Sequence, residues 1–292
     1  MHVPVLLNEV IQFLQPEKCR RIIDATVNGG GHAGVILKFL PKDGILIGID
    51  RDKDAIEKIS ENFKDDKRFH AVHGNFRNIK ELTRKFGKVW DGILFDLGLS
   101  SNLLEESGRG FSFMKDEPLD MRFDAADRLT AKEIINNWPE IKLAEIFYKY
   151  GEERSSRKIA KGIVWRRNKS EISTTADLVG VIKESLPVIY LRKLRIHPAT
   201  RVFQALRIAV NDELASLEDA LKASWEILGK NGRLSAISFH SLEDRIVKQS
   251  FKNFKSFSGK AVILTKKPVA PSVGEVHVNP RARSAKLRVI QK

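Results

Sequence analysis

The stretch that decides the fold is residues 21–50, RIIDATVNGGGHAGVILKFLPKDGILIGID. Its two ends, 21–24 and 44–50, are apolar runs that each finish in an aspartate, and such runs predict buried strands. Between them a glycine-rich turn leads into residues 32–40, whose apolar side chains recur at helical spacing. A strand, a helix and a second strand in this order predict a parallel pair joined by a crossover helix.

The same alternation continues to residue 96. Helix patterns at 53–63 and 79–86 separate strand patterns at 69–72 and 91–96. Strands that are apolar on both faces need helices on both faces, so the sequence predicts an α/β fold with a mostly parallel, doubly wound, Rossmann-like sheet. Ligands of such sheets bind at the carboxyl ends of the strands, so the residues that follow each strand form the candidate site.

The alternation is interrupted in the middle of the chain. Residues 106–198 carry helix patterns and loops, which predicts a helical insertion domain between two parts of the core, 1–105 and 199–292. The second part begins with a helix pattern over 199–228, followed by a glycine-containing turn and a strand pattern over 233–239.

Composition excludes several classes of protein. Of 292 residues, 42% are hydrophobic and 30% are charged, a balance that excludes a disordered chain. No apolar run approaches the roughly 18 residues of a membrane span, and the first residues lack a signal-peptide pattern. The lone Cys19 provides neither a disulfide nor a thiol cluster, and His70 and His73 lie in a predicted strand without ligand partners. We therefore expect a cytoplasmic protein with no metal site.

Positive charge is concentrated in two stretches. The chain has 51 Lys and Arg against 37 Asp and Glu, a net charge of +14. Residues 151–210 hold 13 basic against 5 acidic side chains, and residues 259–292 hold 8 against 1, whereas the other segments are nearly neutral. Such clustering is typical of a surface that binds a polyanion, although a generally basic soluble protein is an alternative. We expect both stretches to contact phosphates of a nucleic acid that presents one base to the core.

The glycine-rich turn permits two kinds of cofactor. Gly29, Gly31 and Gly34 form a G-x-G-x-x-G pattern, and Asp50 lies 19 residues after Gly31, which is the fingerprint of dinucleotide-binding oxidoreductases. However, the first strand ends at Asp24, five positions before the first glycine. An acid followed by a glycine turn better suits a cofactor with an ammonium group and no pyrophosphate, such as S-adenosylmethionine.

Acidic and aromatic residues follow the other strands. Asp50 is placed to accept hydrogen bonds from both hydroxyls of a ribose. Phe76, after the third strand, is placed to pack on an adenine ring, although an ordinary core position is the alternative. Asp96 ends the fourth strand, where an unpartnered buried carboxylate is costly, and this favours a functional role.

A longer ordered set of motifs resembles the MraW/RsmH methyltransferase family. The matching stretches cover nearly the whole chain, which makes the set far more specific than any one motif. They are His2–Leu7, Gly30–His32, Asp50–Asp52, Asp91–Leu94, Asp96–Gly98, Arg109–Phe113, Pro118–Arg122, Tyr150–Glu153, His197–Thr200, Ser238–Lys248 and Asn279–Ser284.

The resemblance implies a class I S-adenosylmethionine-dependent methyltransferase whose helical insertion helps to hold RNA. The implied reaction is methylation of N4 of a cytidine in the decoding region of small-subunit (16S) ribosomal RNA, with that RNA or the 30S subunit as partner. The implied cofactor-binding residues are Gly30, Gly31, His32, Asp50, Phe76 and Asp96. Leu103 stands where the family usually has glutamine, and we expect it to line the pocket by contact; Asn28 stands where the family usually has glycine.

Asp96 is our hypothesis for the catalytic residue. The exocyclic amine of cytosine is a poor nucleophile because its lone pair is delocalised into the ring, so an acceptor for its proton assists the reaction. The alternative is that Asp96 contacts only the cofactor and not the base. Related amino-methyltransferases carry an aromatic residue beside this acid, and because this chain keeps only the acid, Phe111 or Phe113 is a candidate for stacking on the base. The base must be unpaired or extruded to react.

A non-catalytic RNA-binding or ribosome-assembly factor is a further alternative. It would explain the basic stretches, but it would not explain three acids, Asp24, Asp50 and Asp96, at the ends of three strands.

Overall fold

The computed structural model describes residues 4–99 and 101–292, which fall into two compact units. The core unit comprises Met1–Gly98 and Leu214–Lys292, and the helical unit comprises Leu99–Glu213. His2 and Val3, which belong to the first matching stretch, lie outside the described residues.

The core unit contains a mixed sheet. Its strands are, in chain order, β1 (Arg21–Asp24), β2 (Ile45–Asp50), β3 (Phe69–His73), β4 (Trp90–Asp96), β5 (Leu228–Ser238), β6 (Val262–Ile263) and β7 (Lys286–Gln291). Across the described residues the strand order is β3-β2-β1-β4-β5-β7-β6. The first five strands are parallel to one another, and β7 runs antiparallel to both β5 and β6. The predicted mostly parallel sheet is confirmed.

Helices account for most of the remaining structure. They are α1 (Leu7–Leu14), α2 (Gly31–Phe39), α3 (Lys53–Asn62), α4 (Ile79–Thr83), α5 (Ser101–Glu105), α6 (Ala131–Asn137), α7 (Glu140–Lys149), α8 (Ser156–Arg167), α9 (Thr175–Glu184), α10 (Val188–Lys193), α11 (Thr200–Asn211), α12 (Glu213–Ile227), α13 (Ser241–Ser258) and α14 (Val273–Val278). Among the described residues, none of these helices combines the length and the apolar character that crossing a membrane requires.

The sheet is covered on both faces. Ile22 of β1 belongs to an apolar cluster that also contains buried side chains of α1, α2 and α3. The next residue, Ile23, belongs to a second cluster that contains buried side chains of α4, α12 and α13. Successive strand residues point to opposite faces, so the doubly wound arrangement follows from strands that are apolar at every position.

Parallel register places the acidic strand ends at one edge. Asp24 is aligned with Gly48 of β2 and with Leu94 of β4. Asp50 and Asp96 each come two residues later on those neighbouring strands, so they lie on either side of Asp24, about 7 Å further along the strand direction. The fold therefore gathers the three acids that the sequence placed at strand ends.

The helical unit has a core of its own, and it is wider than the predicted insertion of residues 106–198. It begins at Leu99 and ends at Glu213. The later boundary follows from α11, which packs against α6 and α7 and places Val202 and Leu206 in the core of this unit.

The single helix predicted over 199–228 is wrong. Asp212 has a φ of 48°, in the left-handed region, and it separates α11 from α12. Aspartate is among the few residues that tolerate this conformation. Leu206 of α11 packs in the helical unit and Leu217 of α12 packs in the core unit. Because both helices bury apolar side chains, the apolar pattern continues across the break, and the sequence does not indicate where the first helix ends.

The turn predicted at residues 229–232 lies inside β5. The register of β5 against β4 shifts between Leu228, which pairs with Trp90, and Arg233, which pairs with Gly92. Residues 229–232 form the resulting bulge, in which Asn231 has a φ of 63°. The strand predicted from residue 233 is confirmed as the regular part of β5.

We predict that Asp244→Ala destabilises the core unit by about 3 kcal/mol, because it strips a buried arginine of its counter-ion. The Arg288 guanidinium donates to the Asp244 carboxylate from Nε at 2.6 Å and from Nη2 at 3.1 Å. This ion pair joins α13 to β7. Burial raises the pKa of Asp244, but the hydrogen bond and charge of Arg288 and the charge of Lys286 outweigh it, so the pKa is lowered overall. The contribution is therefore complete above the ordinary aspartate pKa and is lost as pH falls through the lowered value.

Urea unfolding at neutral and acidic pH measures this effect. The control is Asp219→Ala, which breaks an exposed pair with Arg77 and should cost less than about 1 kcal/mol. Equal losses for the two variants would contradict the structural role of the buried pair.

Candidate active site

Three carboxylates lie together at the carboxyl edge of the sheet. Asp24 is 1% exposed and Asp96 is 6% exposed, and Asp50 is half-buried. Burial raises the pKa of Asp24 to about 8, with the charges of Asp96 and Asp50 acting in the same direction against the hydrogen bond from the Thr26 backbone. The three carboxylates are therefore close enough to influence one another, in agreement with the register of the strands.

Asp50 has a smaller shift of the same sign. Burial raises its pKa to about 6, and the backbone N–H groups of Asp52 and Asn28, which donate to its two oxygens at 2.9 Å each, oppose the rise. Each carboxylate oxygen can accept a second hydrogen bond. Asp50 lies at the end of β2, and its predicted hydrogen bonds to the hydroxyls of a ribose stay a prediction.

The loop after β1 connects the three strand ends. The Thr26 backbone N–H donates to Oδ1 of Asp24 at 3.3 Å, and its side-chain Oγ1 accepts from the Asp96 backbone N–H at 2.6 Å. Thr26 was not predicted as a site residue. Its only signal in the sequence is its position two residues after the end of a strand.

Asn28 preserves the backbone conformation that glycine would supply. Its φ is 48°, in the left-handed region, where asparagine is one of the few tolerated residues. Its Nδ2 donates to the carbonyl of Thr26 at 3.0 Å, which holds the turn in shape. Asn28 therefore adopts a conformation that glycine also adopts readily, and its backbone N–H is directed at Asp50.

The predicted glycines lie at the start of α2, where they allow close packing. A Cβ on Gly30, whose φ is 77°, would lie 2.0 Å from Cδ1 of Ile59 in α3. A Cβ on Gly31 would lie 3.1 Å from Pro4. On Gly29, by contrast, a Cβ would meet nothing within 4 Å. Because Gly30 and Gly31 have no side chain, Ile59 and Pro4 can pack closely against them. Contact of the glycine backbone with the cofactor stays a prediction.

His32 connects the N-terminal segment to Asp96. The ring is 5% exposed, with Nε2 at 3.0 Å from the carbonyl oxygen of Val5 and Nδ1 at 3.5 Å from Oδ2 of Asp96. A carbonyl oxygen only accepts, so Nε2 donates to Val5, and the other ring nitrogen packs beside the Asp96 carboxylate. The predicted cofactor residue His32 therefore lies next to Asp96, and its contact with the cofactor stays a prediction.

Phe76 lies in the short turn that follows β3, as predicted. Its ring is half-buried and meets the ring of Phe95 edge-on, with centroids 5.7 Å apart. The ring therefore has a fixed orientation near the third strand end, and adenine packing stays a prediction.

The remaining predicted residues belong to the helical unit. Leu103 is 6% exposed and lies in the apolar core of that unit. Phe111 stacks on Phe123, and Phe113 stacks on His197 with centroids 4.5 Å apart. The structure gives these aromatic rings protein partners, and their predicted contacts with cofactor or base stay predictions.

The basic C-terminal stretch is partly used by the fold itself. Arg288 and Lys286 both face Asp244, and Nζ of Lys292 donates to the carbonyl of Trp225 at 2.6 Å. Burial lowers the pKa of Lys292. These three cations stabilise the core unit, so the stretch 259–292 offers a phosphate fewer side chains than its charge suggests.

The family model for the MraW methylase family matches residues 1–292. The chain belongs to the MraW methylase family. The protein named ribosomal RNA small subunit methyltransferase H from Clostridium botulinum is 47% identical over 307 residues, covering 100% of this chain and 98% of its own. Its namesake from Brevibacillus brevis is 44% identical over 309 residues with the same coverage. A solved rRNA methylase from Streptococcus thermophilus, 10% identical, covers 100% of this chain and 99% of its own with a TM-score of 0.44.

S-adenosylmethionine is the cofactor of this methylase, and the acids at the sheet edge fit it. Burial is the largest cause of the raised pKa values of Asp24 and Asp50; other carboxylates add to both rises, and backbone N–H donors oppose them. A ligand with sulfonium and ammonium charges favours the ionised form of these carboxylates. A dinucleotide would bring a negatively charged pyrophosphate to the same carboxylates, so the oxidoreductase alternative does not fit this lining.

The described residues contain no group of three or more His, Cys, Asp or Glu side chains arranged to hold a metal ion.

We predict that the unliganded methylase loses stability as pH rises from about 5 to about 8 and that Asp24→Asn removes most of this loss. The folded-state pKa of Asp24, about 8, lies above the ordinary value of 3.8. Over the interval between them the folded chain keeps a proton that the unfolded chain has released, so stability falls with rising pH.

Urea midpoints at several pH values give the slope for each variant. Asp43→Asn, at an exposed aspartate, is the matched control and should keep the wild-type slope. A wild-type slope in Asp24→Asn would show that Asp24 is not the proton-binding group.

Proposed function

We propose that this methylase transfers a methyl group from S-adenosylmethionine to N4 of a cytidine in small-subunit ribosomal RNA. The observation that carries the proposal is the buried Asp96, held beside His32 at the end of β4 and next to the acids that suit a cationic cofactor. The names of the relatives support ribosomal RNA as the substrate. The choice of cytosine N4 is supported by the family resemblance.

The chemistry assigns a defined task to Asp96. When bound, S-adenosylmethionine supplies a methyl group on a positively charged sulfur. The attacking N4 becomes positively charged as it gains the methyl group, and it must release a proton. A carboxylate within hydrogen-bonding reach stabilises that charge and accepts the proton. Asp96 is the carboxylate for this role, and His32 is its positioning residue.

Asp96→Asn should lower kcat for RNA methylation by about 100-fold or more, because an amide cannot accept the proton. Cofactor affinity, measured by calorimetry, should change far less, since asparagine keeps the size and hydrogen-bonding ability of the side chain. Near-normal turnover with unchanged cofactor binding would exclude the proton-acceptor role. A collapse of cofactor affinity instead would assign Asp96 to the cofactor.

His32→Gln should lower kcat by about tenfold and change KM for the RNA far less, because glutamine can still donate to Val5 but no longer packs a ring beside Asp96. His70→Gln, at a histidine that packs against Phe86 on β3, is the matched control. A loss of rate that is matched by an equal loss of thermal stability would indicate that His32 supports the fold without acting on Asp96.

The reaction itself is tested by tritium transfer from labelled S-adenosylmethionine to small-subunit RNA. Naked RNA and assembled 30S subunits are assayed side by side, and nuclease digestion of the product locates the methylated base. Label on N4 of a cytidine in wild type, and its absence in Asp96→Asn, supports the proposal. RNA binding without any transfer would favour the RNA-binding factor instead.

The expected partner is the small-subunit RNA or the 30S subunit, and such a partner supports a cytoplasmic location for the enzyme.

A further inference from the structure

The helical unit has an open groove between α7 and the start of α8. Its volume is about 1110 Å³. The α7 side contributes two exposed apolar or aromatic side chains, Ile141 at 80% exposure and Tyr148 at 64%. The α8 side contributes Arg154, Arg157 and Lys158. Within the helical unit, exposed apolar and aromatic side chains of α7 therefore lie across the groove from basic side chains at the start of α8.

The basic wall continues along the outer face of α8. Ile159, Ala160 and Ile163 are buried and fix which side of the helix packs inward. Gly162 brings α8 close to α9, since a Cβ there would lie 1.9 Å from Oγ of Ser185. The helix contains no acidic residue. The exposed cations on or next to its outer face are Arg154, Arg157, Lys158, Lys161 and Lys169.

Four of these cations form no ion pair with any carboxylate of the described residues; they are Arg154, Arg157, Lys158 and Lys161. The α7 side differs, because its lysines are paired: the Glu145 carboxylate lies 3.2 Å from Nζ of Lys142 and 2.7 Å from Nζ of Lys149. Glu140 also lines the α7 side. The uncompensated positive charge therefore belongs to α8, and it is complementary to a polyanion.

A second exposed aromatic residue ends the basic face. Trp165 is 57% exposed, and Nζ of Lys169 lies 3.6 Å from its ring centroid. Lys158, Lys161 and Trp165 follow one another at spacings of three and four residues, which places them on one face. The distance from Lys158 to Trp165 along the axis is about 10 Å, the length of about three stacked nucleotides.

We propose that this surface, formed by Tyr148, Arg154, Arg157, Lys158, Lys161 and Trp165, binds a single-stranded segment of RNA. The cations contact phosphates, and the two aromatic rings stack on bases at either end. Stacking on exposed rings requires unpaired bases, which excludes a regular duplex as the ligand. The inference rests on the proposed function for its choice of RNA as the polyanion, and it assigns to one face the part of the helical unit that holds the substrate.

Fluorescence anisotropy with a labelled single-stranded RNA of about 12 nucleotides, and with a duplex of the same length, measures the binding without cofactor. The variant Lys158→Ala/Lys161→Ala should bind the single strand at least tenfold more weakly. The slope of log affinity against log salt should fall by about 1.4, since each phosphate contact on a single strand contributes about 0.7. Lys142→Ala/Lys149→Ala removes the same charge from ion-paired positions and should change affinity less than twofold.

The aromatic contribution has a different signature. Tyr148→Ala and Trp165→Ala should each weaken binding about fivefold or more without changing the salt slope, and Tyr148→Phe and Trp165→Phe should restore it. Circular dichroism and thermal melting confirm that each variant is folded.

Three outcomes would overturn the inference: equal losses in the α8 and control variants, equal binding of duplex and single strand, or α8-dependent binding to phosphatidylserine vesicles in place of RNA. These results are distinct from failure of the proposed function. If tritium transfer to small-subunit RNA fails while α8-dependent single-strand binding holds, the surface stands and the proposed reaction falls. If transfer succeeds and the α8 variants bind RNA normally, the surface falls alone.

Discussion

The crowding of three carboxylates at one edge of a parallel sheet is the constraint on which the site depends. Asp24 lies on β1, between the two strands that end in Asp50 and Asp96. Burial raises its pKa to about 8, and the charges of Asp96 and Asp50 add to this rise, so ionising Asp24 is costly. A cationic cofactor offsets that cost, so the site favours cationic ligands.

The surrounding contacts keep this arrangement in register. Thr26 contacts Asp24 and the backbone of Asp96, and the backbone of Asn28 contacts Asp50, so a single loop holds all three strand ends. His32 donates to the carbonyl of Val5 and packs beside Asp96, which limits the movement of the carboxylate that we assign to proton transfer. In the proposed function, Asp24 and Asp50 bind the cofactor and Asp96 accepts the proton of the substrate amine.

The sequence alone predicted the sheet, its order of strands and helices up to Asp96, and the three acids, because buried parallel strands leave an unbroken apolar run that ends at the site. It did not predict the break at Asp212, since the apolar pattern of α11 continues into α12 although the two helices pack in different cores. It also did not predict Thr26 or the link from His32 to Asp96. Those roles depend on distances across neighbouring strands, which have no periodic signature in the chain.

Charge has a different meaning in the two units. In the C-terminal stretch, Lys286, Arg288 and Lys292 hold the core unit together. By contrast, Arg157, Lys158 and Lys161 of α8 pair with no carboxylate in the part of the chain that the structure describes.

The central claim is that the three carboxylates favour a cationic cofactor. Calorimetric titration of the wild-type protein with S-adenosylmethionine and with NADH, in buffers of different ionisation enthalpy, tests this claim most directly. The account predicts that S-adenosylmethionine binds near neutral pH with release of protons, because its positive charge ionises Asp24, and that NADH does not bind. Binding of NADH, or binding of S-adenosylmethionine without any proton release, would contradict it.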